Sequence, residues 1–332
     1  MKNKKILITG GAGYVGSSLV PKLLKLGHEV IVFDLFMYGD VFFDIKSNPK
    51  LKLVKSDIRN LKDISNNIKG CDTVIHLACI SNDPSFELNP ELGKSINYDA
   101  FTPLVEISKE NGVERFIYAS SSSVYGVKNE LDVTEDLCLE PLTDYSKYKA
   151  LCEEILLKNK EKGFYPLIIR PATVCGYARR LRLDLTVNIL TNHAINNGLI
   201  KVFGGSQKRP NINIEDMTDL YVNCINYPLD KIDCKIFNVG YENHSINEIA
   251  RIVKNTLKKK IDIVHEKTDD LRSYHVSSKK IERELGFVPK RTINEAVESI
   301  NQAFIQNIIP NSMIDSRYYN IKTMQNINLL YS

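Results

Sequence analysis

The stretch KKILITGGAGYVGSSLVPKLLKLG, residues 4–27, decides the fold. Its beginning is a short apolar run, rich in isoleucine and ending in glycine, which is typical of a buried parallel strand. Residues 17–27 have the apolar spacing of a helix and end in glycine as well. Gly10, Gly13 and Gly16 lie where the first segment passes into the second. The stretch therefore predicts a strand, a tight glycine loop and a helix in direct succession.

The same stretch predicts a dinucleotide site. Glycine is needed where a loop turns tightly, where backbone meets a pyrophosphate, and where helix and strand touch, and the helix N-terminus offers free N–H groups to phosphates. Asp34 ends the next strand, 24 residues after Gly10. A carboxylate there can accept hydrogen bonds from the adenosine ribose and repels a 2′-phosphate. No arginine follows it in DLFMYGD (34–40), so NAD is predicted rather than NADP.

Apolar strands alternate with amphipathic helices through the first half of the chain. The predicted strands after the first are 28–34, 51–57, 72–78, 115–121 and 165–172, with a helix at 94–111. This alternation predicts an α/β fold with a doubly wound parallel sheet. After about residue 172 the pattern becomes that of a smaller mixed α/β lobe, although 234–240 is again a buried strand. Ser245 and Glu248 form the capping box of a following helix.

We expect two closely joined units. The predicted NAD-binding domain covers residues 1–172, and residues 234–258 return to it. The predicted substrate-binding lobe covers residues 173–233 and 259–332. The last twenty or so residues show no pattern that indicates chemistry.

The composition is that of a soluble globular protein and argues against several classes of function. Of 332 residues, 43% are hydrophobic and 25% charged, and a net charge of +4 is too small to indicate nucleic acid as the main partner. The seven cysteines form no Cys-x-x-Cys pair, and the histidines lack metal-ligand spacing, so neither a disulfide framework nor a metal site is predicted. No apolar run approaches the ~18 residues that span a bilayer. We expect a cytoplasmic protein with no membrane partner.

The pattern Tyr-x-x-x-Lys occurs three times, and its surroundings favour Tyr145 with Lys149. They lie on a predicted helix, 24 residues after Ser121, which stands in a run of serines at a strand end. A phenol with a pKa near ~10 is a poor base at neutral pH, and a lysine one turn away can lower that pKa by its charge. Tyr145 could then remove a hydroxyl proton while Ser121 holds the same oxygen. Of the other matches, Tyr227 precedes a proline and Tyr318 lies in the tail.

Residues 6–172 resemble the extended short-chain dehydrogenase/reductase family. The loop has that family's Gly-x-x-Gly-x-x-Gly spacing, Asp57 and Ile58 match its adenine-contacting pair, and Asn97 matches its scaffold asparagine. HLA (76–78) matches its strand near the pyrophosphate. The resemblance implies Ser121, Tyr145 and Lys149 as the catalytic set. It implies cofactor binding by Gly10, Gly13, Tyr14, Val15, Gly16, Asp34, Asp57, Ile58, Leu77, Ala78, Tyr145 and Lys149.

The resemblance also implies a nucleotide-sugar substrate. Arg209 and Arg272 stand in segments that resemble those with the family's phosphate-binding arginines, whose forked donors suit a diphosphate. The implied substrate-binding residues are Ser81, Asn82, Ser122, Ser123, Thr173, Arg180, Arg182, Asn188, Val202, Arg209 and Arg272. For Ser122 and Ser123 the alternative is a polar strand end that caps loop amides, and for Arg180 and Arg182 it is a solvated helix face. Cys79 and Cys175 are interpreted as inert thiols rather than acid/base groups.

The expected reaction is NAD-dependent oxidation of the C4 hydroxyl of a nucleotide-linked sugar. Ser122 and Ser123 stand where the family's 4,6-dehydratases usually carry Asp or Ser and then Glu, and the absence of that Glu argues against loss of water. Residues 76–85 and 170–188 resemble a subgroup that acts on nucleotide-activated heptoses for bacterial surface polysaccharides, so a GDP-linked heptose is favoured. The same catalytic set would also serve a 4-epimerase of UDP- or GDP-sugars, and the sequence does not separate the two.

Two further expectations come from the resemblance. Some proteins of this fold are non-catalytic NAD-binding regulators, but these typically lose the tyrosine or the lysine that this chain retains. Members commonly assemble through the helix that carries the Tyr-x-x-x-Lys pattern. A homo-dimer or homo-tetramer is therefore expected.

Overall fold

A computed structural model describes residues 3–130, 132–268 and 275–326. Its strands are β1 Lys5–Thr9, β2 Glu29–Asp34, β3 Leu51–Lys55, β4 Thr73–His76, β5 Arg115–Ala119, β6 Tyr165–Pro171, β7 Thr173–Cys175, β8 Leu199–Phe203, β9 Lys208–Asn213, β10 Lys235–Val239, β11 Glu242–Ser245 and β12 Asp262–Glu266. Its α-helices are α1 Tyr14–Lys25, α2 Leu61–Ile68, α3 Asp83–Glu87, α4 Pro90–Lys94, α5 Phe101–Glu110, α6 Asp144–Lys158, α7 Thr186–Asn197, α8 Ile214–Cys224, α9 Leu229–Ile232, α10 Ile246–Leu257, α11 Lys279–Leu285, α12 Ile293–Ile305 and α13 Asn320–Asn326.

The predicted doubly wound parallel sheet is confirmed. Seven strands pair in the order β10-β6-β5-β4-β1-β2-β3, and every pairing is parallel. The chain moves outward in one direction from β1 to β3 and then returns to the other side of β1 at β4. In such sheets the ligand crevice lies at the carboxyl ends of the strands, where the strand order reverses. Here that point is between β1 and β4.

Alternating side chains of the strands feed two separate apolar cores, one on each face of the sheet. Ile6 and Ile8 of β1 belong to the core that includes α1 and α8, whereas Leu7 belongs to the core that includes α2, α5 and α6. The strand is buried on both faces, which explains why its sequence is an unbroken apolar run rather than an alternating one.

The smaller lobe is built on different sheets. Strands β11, β9 and β7 form a three-stranded mixed sheet, and β12 pairs in parallel with β8. Its core is formed mainly by the apolar sides of α7, α10 and α12. The capping box predicted for Ser245 and Glu248 is confirmed at the start of α10, where each residue bonds the other's backbone N–H.

The domain division stays a prediction. Two helices, however, pack against the unit to which that division did not assign them. Helix α8, assigned from the sequence to the smaller lobe, packs against α1 on the large sheet. Helix α10, assigned to the large domain, packs in the core of the smaller lobe. Only β10 of the returning segment joins the seven-stranded sheet. Among the described residues, no helix is long and apolar enough to span a membrane.

Candidate active site

A deep cleft opens at the carboxyl ends of β1 and β4, and its walls include the glycine loop. Gly10 has a φ of 71°, and a Cβ on it would lie 2.5 Å from the backbone nitrogen of Ala78. A Cβ on Gly16 would collide with the backbone of Gly11. Gly13 is more open, since the nearest atom to its Cβ position among the described residues, its chain neighbours apart, is the Gly10 oxygen at 3.1 Å. The loop is thus held tight from behind while Gly13 leaves backbone accessible, which fits a pyrophosphate.

Asp34 lies in this cleft at the end of β2. Its two carboxylate oxygens accept hydrogen bonds from the backbone N–H groups of Ala12, at 2.9 Å, and Phe36, at 2.8 Å. Burial raises the pKa of Asp34 above its ordinary value, while these bonds oppose the shift. The carboxylate is therefore fixed in orientation beside the glycine loop, as a ribose acceptor must be.

Nearly all of the predicted cofactor-binding residues come together in this cleft. Those that line it are Gly10, Gly13, Tyr14, Val15, Gly16, Asp34, Asp57, Ile58, Leu77, Ala78 and Tyr145. Lys149 does not line the cleft and lies buried behind its wall. Asn97, the predicted scaffold residue, accepts from the N–H of Ile80 at 2.8 Å and donates to its carbonyl at 3.0 Å, which fixes the loop after β4.

Tyr145 is placed by the first turn of α6, which begins at a capping box of Thr143 and Ser146. Ser121 follows the end of β5 and caps the short 3₁₀ turn Ser122–Tyr125. Both Tyr145 and Ser121 line the cleft, and the Ser121 side chain opposes the rise in the pKa of Tyr145. The hydroxyl of Ser123 donates to Ser121 Oγ at 2.8 Å. The structure therefore brings the predicted phenol and hydroxyl to one point on the cleft wall.

The electrostatics of Tyr145 differ from the sequence expectation. Burial raises the pKa of the phenol well above its ordinary value, with Cys79 and Asp83 adding to the shift and Arg182 and Ser121 opposing it. The Lys149 ammonium lies 5.9 Å from the centre of the Tyr145 ring. In the protein alone, burial outweighs the cations nearby, so Tyr145 is a neutral phenol that can donate as well as accept.

A buried polar network lies behind the predicted catalytic residues. Glu153, one turn beyond Lys149 on α6, pairs with Arg170 of β6 at 2.6 Å and also accepts from Ser120. Arg170 donates in turn to the hydroxyl of Tyr125 at 2.7 Å. The network ties α6, the end of β5 and β6 together. It thereby fixes the distance between the elements that carry Tyr145 and Ser121.

A second cavity, here called the side cavity, adjoins the cleft and lies against the smaller lobe. Asn82, Ser123 and Thr173 line both cavities. Ser81 and Ser122 line the cleft alone, and Arg209 lines the side cavity alone. Arg272 lies outside the described residues. Six of the eleven predicted substrate residues thus line the cleft, the side cavity or both, besides the two arginines described next.

Arg180 and Arg182 lie in the loop after β7 and reach into the cleft. Both are buried, so the alternative of a solvated helix face is wrong. Arg182 pairs with Asp184 at 2.9 Å and donates to Ser81 Oγ at 3.1 Å. Arg180 lies over the ring of Tyr38 at 3.6 Å from its centre. The cleft thus holds two guanidinium groups on its lobe side.

The structure does not bring the side chains of Val202 and Asn188 to either cavity. Side chains alternate along β8, so Val202 faces the lobe's apolar core while Lys201 and Phe203 line the side cavity. Asn188 is wholly buried, where it accepts from the N–H of Gly176 at 3.0 Å and donates to the Tyr14 hydroxyl at 3.1 Å. Those bonds join the glycine-loop helix to the smaller lobe.

Sequence reasoning missed the C-terminal contribution to the cleft. Asn320 and Met324 of α13 line it, although the tail had shown no readable pattern. Tyr38, which follows Asp34, also lines it and was not predicted. No local signal could have found Asn320, because its partners lie more than 130 residues away in the chain.

Comparison with known proteins agrees with this geometry. The chain is 29% identical over 304 residues to a putative UDP-glucose 4-epimerase of Methanocaldococcus jannaschii, covering 89% of this chain and 96% of the relative. It is 27% identical to a UDP-glucose 4-epimerase of Lactobacillus helveticus, covering 75% of this chain and 81% of the relative. The structure of a Bacillus cereus UDP-glucuronic acid 4-epimerase with UDP-glucuronic acid and NAD superposes with a TM-score of 0.82 at 25% identity, over 91% of this chain and 99% of that one.

A family profile described as the NAD dependent epimerase/dehydratase family matches residues 6–240, which include the glycine loop and the predicted catalytic residues. The NAD dependence of that family confirms the cofactor predicted from the glycine loop and Asp34, and the open backbone at Gly13 fits it. Since the match covers more than half of the chain, the protein belongs to the NAD dependent epimerase/dehydratase family.

Proposed function

We propose that the protein is an NAD-dependent 4-epimerase of a nucleotide-linked sugar. The observation that carries the proposal is the meeting of Tyr145 and Ser121 on the wall of the cleft that holds the glycine loop. The similarity to 4-epimerases over most of the chain supports it. Serines rather than acids at Ser122 and Ser123 leave no base at those positions for eliminating water, which argues against a dehydratase.

NAD, when bound, supplies the acceptor for the hydrogen that leaves C4 with its electron pair. Tyr145 takes the proton of the C4 hydroxyl during that oxidation and returns it during reduction. Ser121 donates a hydrogen bond to the same sugar oxygen and holds it in line. Lys149 places its positive charge behind Tyr145 and favours the transient phenolate over what burial alone allows. Reduction from the other face of the ketone gives the epimer.

The sugar nucleotide would lie across the junction of the cleft and the side cavity. Asn82, Ser123 and Thr173 offer polar groups at that junction, next to Ser121. Arg209 and Lys201 line the side cavity and supply positive charge for a nucleoside diphosphate. The relatives named above act on UDP-sugars by their names, so UDP is the base to test first, and GDP the second.

The second candidate is a 4-dehydrogenase that releases the 4-keto sugar, closest to GDP-D-glycero-α-D-manno-heptose 4-dehydrogenase. What favours it is the resemblance of residues 76–85 and 170–188 to the heptose subgroup. Parts of both segments lie on the cleft walls, including Ser81 and Arg182, so they are placed to contact the sugar. The two candidates share every catalytic residue and differ in whether the ketone leaves.

Incubation with UDP-glucose, UDP-glucuronic acid and GDP-linked heptose, followed by NMR of the sugar and by NADH absorbance, tests both candidates. The epimerase predicts a C4 epimer with no lasting NADH signal. A 4-keto product with NADH equal to the enzyme concentration supports the dehydrogenase and contradicts the epimerase. Absence of any change in all three sugars contradicts both for these substrates, and the Tyr145→Phe variant serves as the inactive control.

A further inference from the structure

Asn320 of α13 joins several parts of the cleft wall that are far apart in sequence. Its Oδ1 accepts hydrogen bonds from the hydroxyl of Tyr38, at 3.1 Å, and from the guanidinium of Arg180. Its Nδ2 donates to Ser81 Oγ at 3.0 Å, and its backbone N–H donates to Asp184 Oδ2 at 2.9 Å. Asn320 is 3% exposed. Both polar atoms of its side chain are therefore used in contacts with other segments.

These contacts place the C-terminal strap, defined as residues 316–326, across the dinucleotide end of the cleft. Tyr38 follows Asp34 in the loop after β2, and Ser81 lies in the loop after β4. Both loops lie at the carboxyl edge of the sheet, beside the switch point. Met324 of the same strap lines the cleft together with Ile58, the predicted adenine contact. The strap thus crosses the side of the cleft where the adenosine half of NAD is expected.

The contact with Asn320 holds Arg180 in place. Its backbone N–H donates to Ser17 Oγ on α1, at 3.0 Å, so it lies close to the helix that follows the glycine loop. Within the described part of the chain, its guanidinium pairs with no carboxylate and its Nε has no hydrogen-bond partner. Burial lowers the pKa of Arg180 to about 10. A buried cation of this kind is costly unless an anion neutralises it.

The diphosphate of a dinucleotide is an anion that can meet that requirement at this end of the cleft. We propose that Asn320 is a positioning residue that holds Arg180 toward the dinucleotide diphosphate, so that the C-terminal strap slows the exchange of NAD. Docking of the strap on the cleft then favours binding of NAD, and binding of NAD favours docking of the strap by the same free energy, because such coupling is reciprocal. The inference rests on the NAD site of the proposed function and is independent of the sugar.

The test measures NAD exchange without any sugar, so it does not depend on turnover. NADH-loaded protein is mixed with excess NAD, and the decay of NADH fluorescence gives the dissociation rate constant. Asn320→Ala removes the side-chain bonds to Arg180, Tyr38 and Ser81 and should raise that rate constant about tenfold or more. Lys322→Ala is the matched control, because Lys322 lies on the same helix but lines neither cavity, and it should leave the rate unchanged.

Amide hydrogen exchange distinguishes the proposed role of Asn320 from a purely structural one. In the unaltered protein, NAD should slow exchange across residues 316–326, and in Asn320→Ala that protection should largely disappear. The thermal midpoint of the NAD-free protein should be close to that of the unaltered chain. If Asn320→Ala does not fold, Tyr38→Phe removes a single donor to Asn320 and should raise the NADH dissociation rate about threefold.

An unchanged NADH dissociation rate in folded Asn320→Ala would overturn the proposal. The sugar nucleotide also carries a diphosphate, so the affinity for UDP is measured in parallel. Weaker UDP binding with an unchanged NADH rate would place Arg180 on the substrate and overturn the proposal as well. If only Tyr38→Phe can be studied, an unchanged rate together with unchanged NAD protection of residues 316–326 has the same meaning.

Discussion

The ammonium group of Lys149 donates a hydrogen bond to the carbonyl oxygen of Ala119 at 2.6 Å. Ala119 is the last residue of β5, so this bond joins helix α6 to the strand end that leads into Ser121. The same ammonium lies 4.9 Å from the ring centre of Tyr118 and 5.9 Å from that of Tyr145. Lys149 therefore has two effects: it fixes the position of the catalytic helix and supplies positive charge behind the phenol.

Replacing Lys149 by methionine should slow turnover and move its pH dependence to higher pH. The shape of the side chain is largely kept, but the positive charge 5.9 Å from the centre of the Tyr145 ring is lost, and a cation at that distance favours the phenolate. We expect a fall in kcat of about a hundredfold at pH 7.5, with a smaller deficit as the pH rises. Lys147→Met is the control, since Lys147 is exposed on the same helix. A pH profile of Lys149→Met parallel to that of the unaltered protein would contradict the electrostatic role.

Replacing Tyr145 by phenylalanine should remove turnover and spare the fold. The phenol oxygen is the only atom lost, and Phe keeps the contacts of the ring with the surrounding apolar core. We expect kcat to fall by at least about a thousandfold, because Tyr145 is the group proposed to take the proton. NAD affinity, measured by calorimetry, should change by less than about threefold. Turnover within tenfold of the unaltered protein would show that another residue is the base.

The fold was predictable from sequence wherever neighbours in the chain determine the structure. The strand, glycine loop and helix of residues 4–27 interact within one βαβ unit, and the capping box of Ser245 and Glu248 is complete within four residues. Such local patterns predicted the strand end that carries Asp34 and the helix that carries Tyr145, and both residues line the cleft. Strand β8 was a partial exception. Which of its two faces is buried depends on where the core of the smaller lobe lies. Lys201 and Phe203 therefore line the side cavity, and Val202 does not.

The remaining parts of the site depend on contacts between segments that are distant in sequence. Asn320 reaches Tyr38 and Ser81 only because the last helix folds back over the sheet. The order of elements along the chain gives no indication of that path. Likewise, the raised pKa of Tyr145 results from the packing around it, which no spacing of residues reveals. Position along the chain was enough to propose Ser121, Tyr145 and Lys149 as a set, whereas the electrostatic environment of Tyr145 required the fold.

The buried ion pair of Glu153 and Arg170 should be important for stability. Both side chains are about 3% exposed, and Glu153 also accepts from Ser120. Glu153→Leu leaves Arg170 charged and buried without its carboxylate, which should lower the free energy of unfolding by about 3–5 kcal/mol. Glu154→Leu, next to it on the exposed side of α6, should change stability by less than about 1 kcal/mol. Urea unfolding followed by circular dichroism measures both.

A double variant separates the ion pair from the packing around it. Glu153→Leu with Arg170→Met removes both charges together, so no uncompensated charge stays buried. We expect it to recover part of the stability that Glu153→Leu loses. The single Arg170→Met variant is measured as well. If the losses of Glu153→Leu and Arg170→Met simply add in the double variant, the two residues do not interact energetically, and the pair does not hold α6 to β6.

His76 should make the protein less stable as the pH falls below neutrality. It is buried in β4, where its Nδ1 lies 2.7 Å from the hydroxyl of Thr9, and burial together with the charge of Lys149 lowers its pKa to about 3. The unfolded chain takes up this proton near pH ~6.5, whereas the folded protein takes it up only near pH 3. The stabilising contribution is therefore complete above pH ~6.5 and is lost as the pH falls toward 3, by up to about 1.4 kcal/mol per pH unit.

His76→Asn keeps an acceptor for Thr9 but removes the titration. Carboxylates contribute equally to both proteins, so the stability advantage of the unaltered protein over His76→Asn should shrink between pH 7 and pH 5, as measured by urea unfolding. A constant difference across that range would mean that the pKa of His76 is the same in the folded and the unfolded protein, which would contradict the prediction.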